Sequence, residues 1–311
     1  MLDVASKALF QTLSHNRTLK KLASRYGMSG TRPFARRFIA GETVEDAIVA
    51  VRAIEAQGLH HTLDYLGESV TSAAAASSAT REYLDLIEAV DRAGIERNLS
   101  LKLTQLGLDL GQAVCGDNLQ TILTAAGRCG FFVRIDMESS NYTDATLEIF
   151  ETVWQHGSRN VGVVLQSCLH RTEADFERVN ALGARVRLVK GAYREGRSAA
   201  YQLKSEVDAA FVRLARRMLT HGTYPAIATH DERILADIKA FADEQQIARD
   251  RFEFQMLYGI RRDLQTALHG EGYRMRVYVP FGHEWFPYFM RRLGERPANV
   301  AFVVRSLFAE R

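Results

Sequence analysis

The amino-acid sequence predicts an α/β protein, a (β/α)8 TIM barrel, and three observations support this prediction. From Leu59 onward about eight short apolar, β-branched runs recur, and each is followed by a stretch with helical period. Strands that alternate with helices form a parallel sheet, and eight such units match the strand count of a barrel. An open doubly wound sheet is the competing fold, but the first strand has no GxGxxG after it and the chain has no GxxxxGK[ST] loop.

The strand-like runs are, in chain order, LHHTLDYLG, LSLKLTQLG, FFVRIDME, VGVVLQS, ARVRLVKG, PAIATH, FEFQMLYG and YRMRVYVPFG. Helix-like stretches between them include DATLEIFETVWQHG, TEADFERVNALG and SEVDAAFVRLARRMLTHG. We expect Thr143 and Thr172 to cap helix starts, and Gly157, Gly183 and Gly222 to stand at helix ends.

The part of the chain before Leu59 is expected to be helical and ends with VEDAIVAVRAIEAQG. We therefore expect residues 1–58 to form an N-terminal helical segment packed on the barrel. Residues 59–311 are expected to form the catalytic (β/α)8 barrel, in a single domain overall.

The composition is that of a soluble globular protein. Of the 311 residues 47% are hydrophobic and 25% are charged, and no apolar run reaches the ~20 residues of a membrane-spanning helix. The first ten residues lack the parts of a secretory signal, which favours a cytoplasmic protein. The cysteines Cys115, Cys129 and Cys168 are scattered without a CxxC pair, so neither a disulfide framework nor a structural zinc site is expected.

The first 39 residues are strongly basic although the whole chain carries a net charge of only +3. They hold eight Lys and Arg residues against one acid, Asp3, whereas the rest of the chain holds 32 basic and 36 acidic residues. Such a segment suits an anionic lipid surface or a nucleic acid, or it is the solvated face of a helix. Neither aromatic interleaving nor a known motif supports a nucleic-acid partner.

Polar side chains stand at or near the end of the predicted strands, where the active sites of such barrels lie. Each one singly could have a structural role, but together at one rim they indicate a site, because a buried charge needs a partner or a ligand. They are Glu68, Lys102, Thr104, Arg134, Asp136, Glu138, Gln166, Arg187, Lys190, Thr229, His230, Gln255 and Tyr278.

A second group of candidates lies in HEWFPYFMRRLGERPAN, after the last strand. Arg291 and Arg292 project about 100° apart on a helix, and Tyr288 lies within one turn of both. Glu295 follows at the spacing that lets it orient a guanidinium. Two guanidiniums near a barrel mouth suit a carboxylate or a phosphate, while an exposed basic helix paired with Glu295 is the alternative.

Metal binding and Schiff-base formation are two other kinds of chemistry that these residue types can carry out. His60 and His61 are neighbours on a strand and face opposite ways, so they cannot jointly ligate one ion. Asp136, Glu138 and His230 could build a carboxylate–imidazole site, but the many nearby Arg and Lys residues disfavour a cation, so no metal is expected. Lys102 and Lys190 lie in apolar strands, where burial would lower the pKa of an ammonium and free the amine to attack a carbonyl. A lyase that forms a Schiff base is therefore the competing function.

The motifs RIDMES, VVLQ, RLVKGAY, ATHD, FEFQMLYG, RVYVPFG and YFMRRLGERPAN, in this order and spacing, resemble those of the proline dehydrogenases. The likeness covers nearly the whole chain from about Leu59. It implies a distorted (β/α)8 barrel with its final helix over the strand C-terminal ends, which binds FAD without a Rossmann fold. Bifunctional relatives carry an aldehyde dehydrogenase after the barrel, and because this chain ends at Arg311 we expect a monofunctional enzyme.

The resemblance implies which rim residues contact FAD. Arg187 corresponds to the arginine that contacts the reactive flavin nitrogen, and Gln166 is similar to a partner of the flavin's polar edge. The other positions that correspond to cofactor contacts are Lys190, Gly191, Ala192, Thr229, His230, Gln255 and Arg292.

The resemblance also implies a substrate site for L-proline. Arg291 and Arg292 correspond to the pair that grips the substrate carboxylate, with Lys102 assisting and Glu295 holding one arginine. The walls around the pyrrolidine ring correspond to Tyr193, Leu257 and Tyr278.

Two acids complete the site that the resemblance implies. Asp136 corresponds to the acid that tunes the site beside Tyr278, and with Arg187 these two form the expected catalytic set. Glu68 resembles a gate residue at the end of the first strand.

The activity that the resemblance implies is the FAD-dependent oxidation of L-proline to 1-pyrroline-5-carboxylate by hydride transfer. A membrane quinone would accept the electrons, and a separate pyrroline-5-carboxylate dehydrogenase would take the product onward to glutamate. The basic N-terminal arm would then lie on the inner face of a bacterial membrane, which makes the enzyme cytoplasmic and peripheral.

Overall fold

Eight parallel strands close into one barrel in the computed structural model, which describes residues 34–295 and, within them, the side chains of residues 35–293. Each strand pairs with its neighbours in sequence, and β8 pairs with β1 to complete the closure. All eight predicted strands are confirmed. They span His60–Tyr65 (β1), Asn98–Leu101 (β2), Phe132–Ile135 (β3), Val161–Gln166 (β4), Arg185–Val189 (β5), Ala226–Ala228 (β6), Glu253–Leu257 (β7) and Arg274–Phe281 (β8).

A helix follows each strand, and one more precedes β1. None of the helices in the described range is long and apolar enough to cross a membrane. The α-helices span Val44–Glu55 (α1), Ala73–Ala93 (α2), Gln112–Arg128 (α3), Thr143–Gln155 (α4), Thr172–Asn180 (α5), Lys204–His221 (α6), Glu232–Glu244 (α7), Arg262–Gly270 (α8) and Trp285–Glu295 (α9).

The two predicted threonine caps are wrong by one position. Thr143 and Thr172 are the first residues of α4 and α5, and the preceding cap residues, Tyr142 and Arg171, make no side-chain cap hydrogen bond. Both threonines are buried instead, and the Thr172 hydroxyl donates to the backbone carbonyl of Gln166. The Thr172 hydroxyl is therefore bonded to the end of β4 and does not cap the helix.

The predicted glycine stops are confirmed. Helices α4 and α5 end shortly before Gly157 and Gly183, which adopt left-handed φ values of 95° and 73°. Helix α6 ends at His221, and Gly222 follows as its C-cap in an extended conformation.

Helices cover the outside of the barrel, so its strands are buried on both faces. Every residue of β4 is buried, which is why strands of this type appear in a sequence as continuous apolar runs. The largest apolar cluster joins strand residues such as Leu63, Val133 and Phe254 to helix residues such as Phe150 and Phe211.

Helix α9 lies over the C-terminal ends of the strands, as predicted. Its Trp285, Phe289 and Leu293 belong to a separate apolar cluster with Phe38, before α1, and Leu66, just after β1. The outer face between β8 and β1 is covered by α1, which packs against both strands. Helix α1 therefore covers the outer face between β8 and β1, and α9 lies over the strand ends instead. The domain division after residue 58 stays a prediction.

Candidate active site

A cavity of about 420 Å³ opens at the C-terminal ends of the strands. Strand-end residues line it together with Tyr288 and the two arginines of α9. Fifteen of the residues to which the resemblance assigns a role line this cavity: Lys102, Asp136, Gln166, Arg187, Lys190, Gly191, Ala192, Tyr193, Thr229, His230, Gln255, Leu257, Tyr278, Arg291 and Arg292. Among the other candidates at the rim, Glu68, Thr104, Arg134 and Glu138 do not line it, and Thr104 Oγ1 donates to the Glu138 carboxylate at 2.7 Å.

The centre of the site is a hydrogen-bonded group of Arg187, Asp136 and Tyr278, from three different strands or strand ends. Nη1 of Arg187 donates to one carboxylate oxygen of Asp136, and the Tyr278 hydroxyl donates to the other, both at 2.7 Å. The Arg187 guanidinium also lies over the Tyr278 ring, 5.4 Å from its centroid, and donates to Ser100 Oγ at 3.1 Å. Only 5% of the Arg187 side chain is exposed, so these bonds hold one orientation in a desolvated place.

Burial and the neighbouring carboxylates set the protonation of the Tyr278 phenol. Burial raises the pKa of Tyr278 well above its usual value, and the carboxylates of Asp136 and Asp64 raise it further. The hydroxyl therefore remains a donor. Nε of Arg187 is buried and has no hydrogen-bond partner among the described residues. A buried donor of this kind in a cavity-lining residue indicates where an acceptor atom of a ligand binds.

Lys102 is buried and its ammonium lies 3.3 Å from the nearer carboxylate oxygen of Asp64. Burial alone would lower its pKa, but the carboxylates of Asp64, Asp136 and Glu68 outweigh that effect, and the pKa of Lys102 is raised. The lysine therefore stays an ammonium. This contradicts the premise of the Schiff-base alternative, which needed burial to free the amine.

The two adjacent arginines of α9 both reach the cavity but have different surroundings. Arg291 donates through Nη1 and Nη2 to one carboxylate oxygen of Glu68, at 3.1 and 3.0 Å. The Arg292 guanidinium lies over the ring of Tyr288, 5.1 Å from its centroid. Glu68 lines a neighbouring cavity of about 440 Å³, which shares Lys102, Tyr288 and Arg291 with the first. The Glu68–Arg291 ion pair thus lies between two cavities.

The end of β4 and the segment after β5 form one close-packed wall. Gln166 Nε2 donates to the backbone carbonyl of Glu138 at 2.8 Å, which orients the amide. Gly191 has a φ of 116°, and a Cβ there would lie 2.4 Å from Cys168 Sγ and 3.1 Å from Gln166 Oε1. Only glycine fits at position 191, because any side chain would clash there, and its backbone is left exposed to the cavity.

Two lysines and two carboxylates form a charge-balanced cluster at another part of the cavity wall. Lys190 contacts Asp208 at 2.5 Å and Asp231 at 3.1 Å, and Lys204 pairs with the same two acids. Burial acts to raise the pKa of each carboxyl, but the hydrogen bonds from the lysines prevail and lower it. Lys190, the second candidate for imine chemistry, is therefore held as an ion pair.

Backbone and side-chain contacts join the ends of β6 and β7. The Leu257 N–H donates to His230 Nε2 at 2.9 Å, so this nitrogen is the unprotonated one. Thr229 Oγ1 accepts from the Asp231 N–H at 3.1 Å, at the start of α7. Gln255 donates to the carboxylate of Glu253, which fixes its amide in the cavity floor.

Aromatic and apolar side chains complete the cavity walls. Burial raises the pKa of Tyr193 to about 12, although the nearby Arg291 opposes the rise, so this phenol is neutral. Sequence reasoning missed several lining residues, of which most directly adjoin a predicted one in the chain. They are Met137, Val164, Val189, Lys204, Ala228, Asp231 and Met256.

Asp64 is the most consequential residue that sequence reasoning missed. It is fully buried on β1 and holds Lys102. The sequence did contain a signal for Asp64, because it is the one acid within the β1 residues HHTLDY. It also lies on the same side of the strand as Thr62, two positions earlier.

Arg134 is not in the cavity, because its guanidinium donates to the backbone carbonyls of Val163 and Arg185 and stacks on Phe132. The Glu295 side chain lies outside those described. Within the described residues no group of three or more His, Cys, Asp and Glu side chains could hold a metal ion.

Comparison with known proteins gives consistent matches. The family model described as proline dehydrogenase matches residues 47–305. The chain is 44% identical over 299 residues to proline dehydrogenase 1 of Bacillus subtilis, which covers 96% of this chain and 98% of that protein. It is 45% identical over 277 residues to a proline dehydrogenase of Deinococcus radiodurans, covering 88% of this chain and 89% of that protein.

A solved structure supports the same relationship. Proline utilization A from Bdellovibrio bacteriovorus, inactivated by N-propargylglycine, superposes with a TM-score of 0.79 at 26% identity. The match covers 84% of this chain and 32% of that longer chain.

Proposed function

This chain belongs to the proline dehydrogenase family, and from that premise we propose that it oxidises L-proline to 1-pyrroline-5-carboxylate with bound FAD. The single observation that supports this most is the composition of the cavity. One cavity combines two arginines and a lysine that suit a carboxylate, a box of Tyr193, Leu257 and Tyr278, and a fixed arginine, Arg187.

The described residues fit FAD in three respects. Arg187 carries a buried Nε without a partner among those residues, which suits an acceptor atom of the flavin ring. Gly191 leaves room for close approach of a ligand to the backbone, and Gln166 presents an oriented amide beside it. We assign Arg187, Gln166 and the remaining proposed contacts, Lys190, Gly191, Ala192, Thr229, His230, Gln255 and Arg292, to the cofactor.

The substrate carboxylate would bind to Arg291, Arg292 and Lys102. Arg guanidiniums can hold a carboxylate bidentately, and the ammonium of Lys102 adds a third cationic donor. Glu68 is paired with Arg291 at one side of the cavity, and we propose that this pair opens to admit proline. Glu295 keeps its proposed role as a partner of one arginine.

Position and orientation are the main contributions of the protein to the reaction. Clamping the carboxylate at one end and packing the ring at the other directs the C–H bond beside the nitrogen toward the cofactor. FAD, when bound, supplies the acceptor for the hydride that leaves this carbon. The nitrogen lone pair forms the C=N bond, so the amine must be in its neutral form.

Arg187 contributes a fixed positive charge. Asp136 and Ser100 hold its guanidinium in one orientation, so no reorganisation is needed when negative charge develops on the hydride acceptor. Tyr278, hydrogen-bonded to the same Asp136, closes the box and keeps that carboxylate in place.

An anaerobic absorbance spectrum of the purified protein tests the proposal. A flavin spectrum that bleaches on addition of L-proline, and does not bleach with D-proline, would support cofactor and substrate together. A protein that stays colourless after incubation with FAD would refute it. Borohydride trapping of a carbonyl compound at Lys102 or Lys190 would then revive the lyase alternative.

We also propose a membrane quinone as electron acceptor, a peripheral location on the cytoplasmic face of a bacterial membrane, and a separate pyrroline-5-carboxylate dehydrogenase for the product. The basic N-terminal arm, which lies outside the described residues up to residue 33, would contact anionic lipid. Vesicle sedimentation tests this with Lys20, Lys21, Arg36 and Arg37 neutralised. Unchanged binding relative to wild type would contradict it, and the matched control neutralises four other basic residues, Arg97, Arg213, Arg216 and Arg217.

A further inference from the structure

We infer that Asp64 is a positioning residue for substrate binding, which keeps Lys102 charged and directed at the cavity where the proline carboxylate binds. The inference rests on the proposed function, because it concerns how that site recognises its substrate. Asp64 itself does not line the cavity, so it would act through the residues beside it, chiefly Lys102 and also Tyr278.

The geometry places the two side chains of the pair in direct contact. Asp64 lies on β1 with no exposed surface, and both its oxygens lie within 3.3–3.4 Å of the Lys102 ammonium. Lys102 directly follows β2, which pairs with β1 at Asp64 and Ser100. Two adjacent strands therefore hold the two side chains side by side.

The other carboxylates near Lys102 have partners of their own. Asp136 accepts from Arg187 and Tyr278, and Glu68 accepts from Arg291. Among the described residues only Asp64 accepts a hydrogen bond from Lys102. The titratable groups whose charges act on Lys102 or respond to it are Asp64, Glu68, Asp136, Glu138 and Tyr193, and Arg291 lines both cavities that Lys102 lines.

Loss of Asp64 would change the balance between burial and attraction. Burial is the largest influence on the pKa of Lys102 and acts to lower it, whereas the attraction of Asp64 is the largest influence that raises it. Without Asp64 the ammonium would lose its proton more readily as pH rises. A neutral amine would no longer attract the substrate carboxylate, so affinity would become pH-dependent.

The test is isothermal titration of the FAD-loaded protein with cyclopentanecarboxylate, a ring carboxylate that lacks the titrating amine of proline. We compare wild type with Asp64→Asn, which keeps size and removes the charge. Asp237→Asn, at an exposed ion pair with Arg216, is the matched control. FAD content and thermal melting of each variant show whether it is folded.

We expect wild type and D237N to bind with the same affinity between about pH 7 and pH 9.5. In D64N the dissociation constant should rise by about tenfold or more over this range, because the Lys102 ammonium then titrates within it. The double variant D64N/K102M should bind weakly at every pH, since no ammonium remains to lose a proton. A merely structural role of Asp64 would weaken binding by the same factor at every pH in D64N, and it would not produce a pH dependence that disappears when Lys102 is also replaced.

Two results would count against the inference in different ways. If wild type oxidises proline and D64N binds the probe with unchanged pH dependence, the role of Asp64 is refuted and the proposed function stands. If wild type neither binds the probe nor oxidises proline, both are refuted. If D64N does not fold, Asp64→Ser is titrated in its place, and flat affinity across the same range again refutes the role.

Discussion

The Arg187–Asp136 pair can be compared with a surface pair of the same length, and this comparison tests what burial contributes. Asp136 and Arg187 have side chains that are 14% and 5% exposed, at a nitrogen–oxygen distance of 2.7 Å. Asp237 and Arg216 lie at the same 2.7 Å, but their side chains are 36% and 44% exposed. We therefore expect the same Asp→Asn change to have different consequences at the two places.

Asp136→Asn removes the negative charge and leaves one acceptor oxygen where two were used. At least one charge-assisted hydrogen bond, to Arg187 or to Tyr278, is lost, and the buried guanidinium loses its counter-ion. Together these effects should lower the free energy of unfolding by about 2–4 kcal/mol. Asp237→Asn should lower it by at most about 1 kcal/mol, because solvent screens an exposed pair.

The catalytic effect follows from the orientation of Arg187. A transition state deprived of about 1.5–3 kcal/mol of charge-assisted stabilisation reacts about ten- to a hundredfold more slowly. Urea unfolding gives the stability, and anaerobic flavin reduction by proline gives the rate in FAD-loaded protein. Equal effects of the two substitutions on both quantities would refute the argument, because burial would then contribute nothing.

Three further substitutions have expected outcomes. Tyr278→Ser should raise activity with hydroxyproline relative to proline, since the smaller side chain leaves room for a ring hydroxyl; an unchanged substrate ratio would show that Tyr278 does not set this preference. Gly191→Ala should abolish FAD retention, because the new Cβ would lie 2.4 Å from Cys168 Sγ. Gly183 also has a positive φ, but a Cβ there would have no atom within 4 Å, so Gly183→Ala should retain the flavin absorbance. Burial lowers the pKa of His61 from 6.5 to about 4, so the protein takes up a proton when it unfolds at a pH between these values. The free energy of unfolding should therefore decrease as pH falls through this window, by up to about 3 kcal/mol. His61→Leu should flatten that part of the urea-midpoint profile, and an unchanged profile would assign the pH dependence to other groups.

The barrel was predictable because its physical causes are local in the chain. Strands buried on both faces must be continuously apolar, as in β4, and a parallel neighbour requires an intervening helix. The residues of the rim were predictable for the same reason, because polar residues at the C-terminal ends of such strands lie at the mouth of the barrel. This is why Arg187, Gln166 and Lys102 could be named without coordinates.

Pairing between side chains was much less predictable. Arg134 and Asp136 are two residues apart in the chain and could have formed an ion pair with each other. Instead, Arg134 donates to backbone carbonyls, and Asp136 forms its ion pair with Arg187 of β5. Arg291 pairs with Glu68, which stands 223 positions earlier in the chain. Such choices depend on distances between elements that lie far apart in the chain.

The sequence by itself determined the element order, the barrel and the rim from which the site is built, because periodicity and strand-end position are properties of consecutive residues. Only the tertiary structure decided the protonation and orientation of the rim residues. Lys102 illustrates the reason: burial, which the apolar strand predicts, would lower its pKa, but the pairing of β1 with β2 places Asp64 beside it, and the attraction of Asp64, with that of Asp136 and Glu68, reverses the outcome. Electrostatic energies depend on distances in space, and those are set by how strands and helices pack.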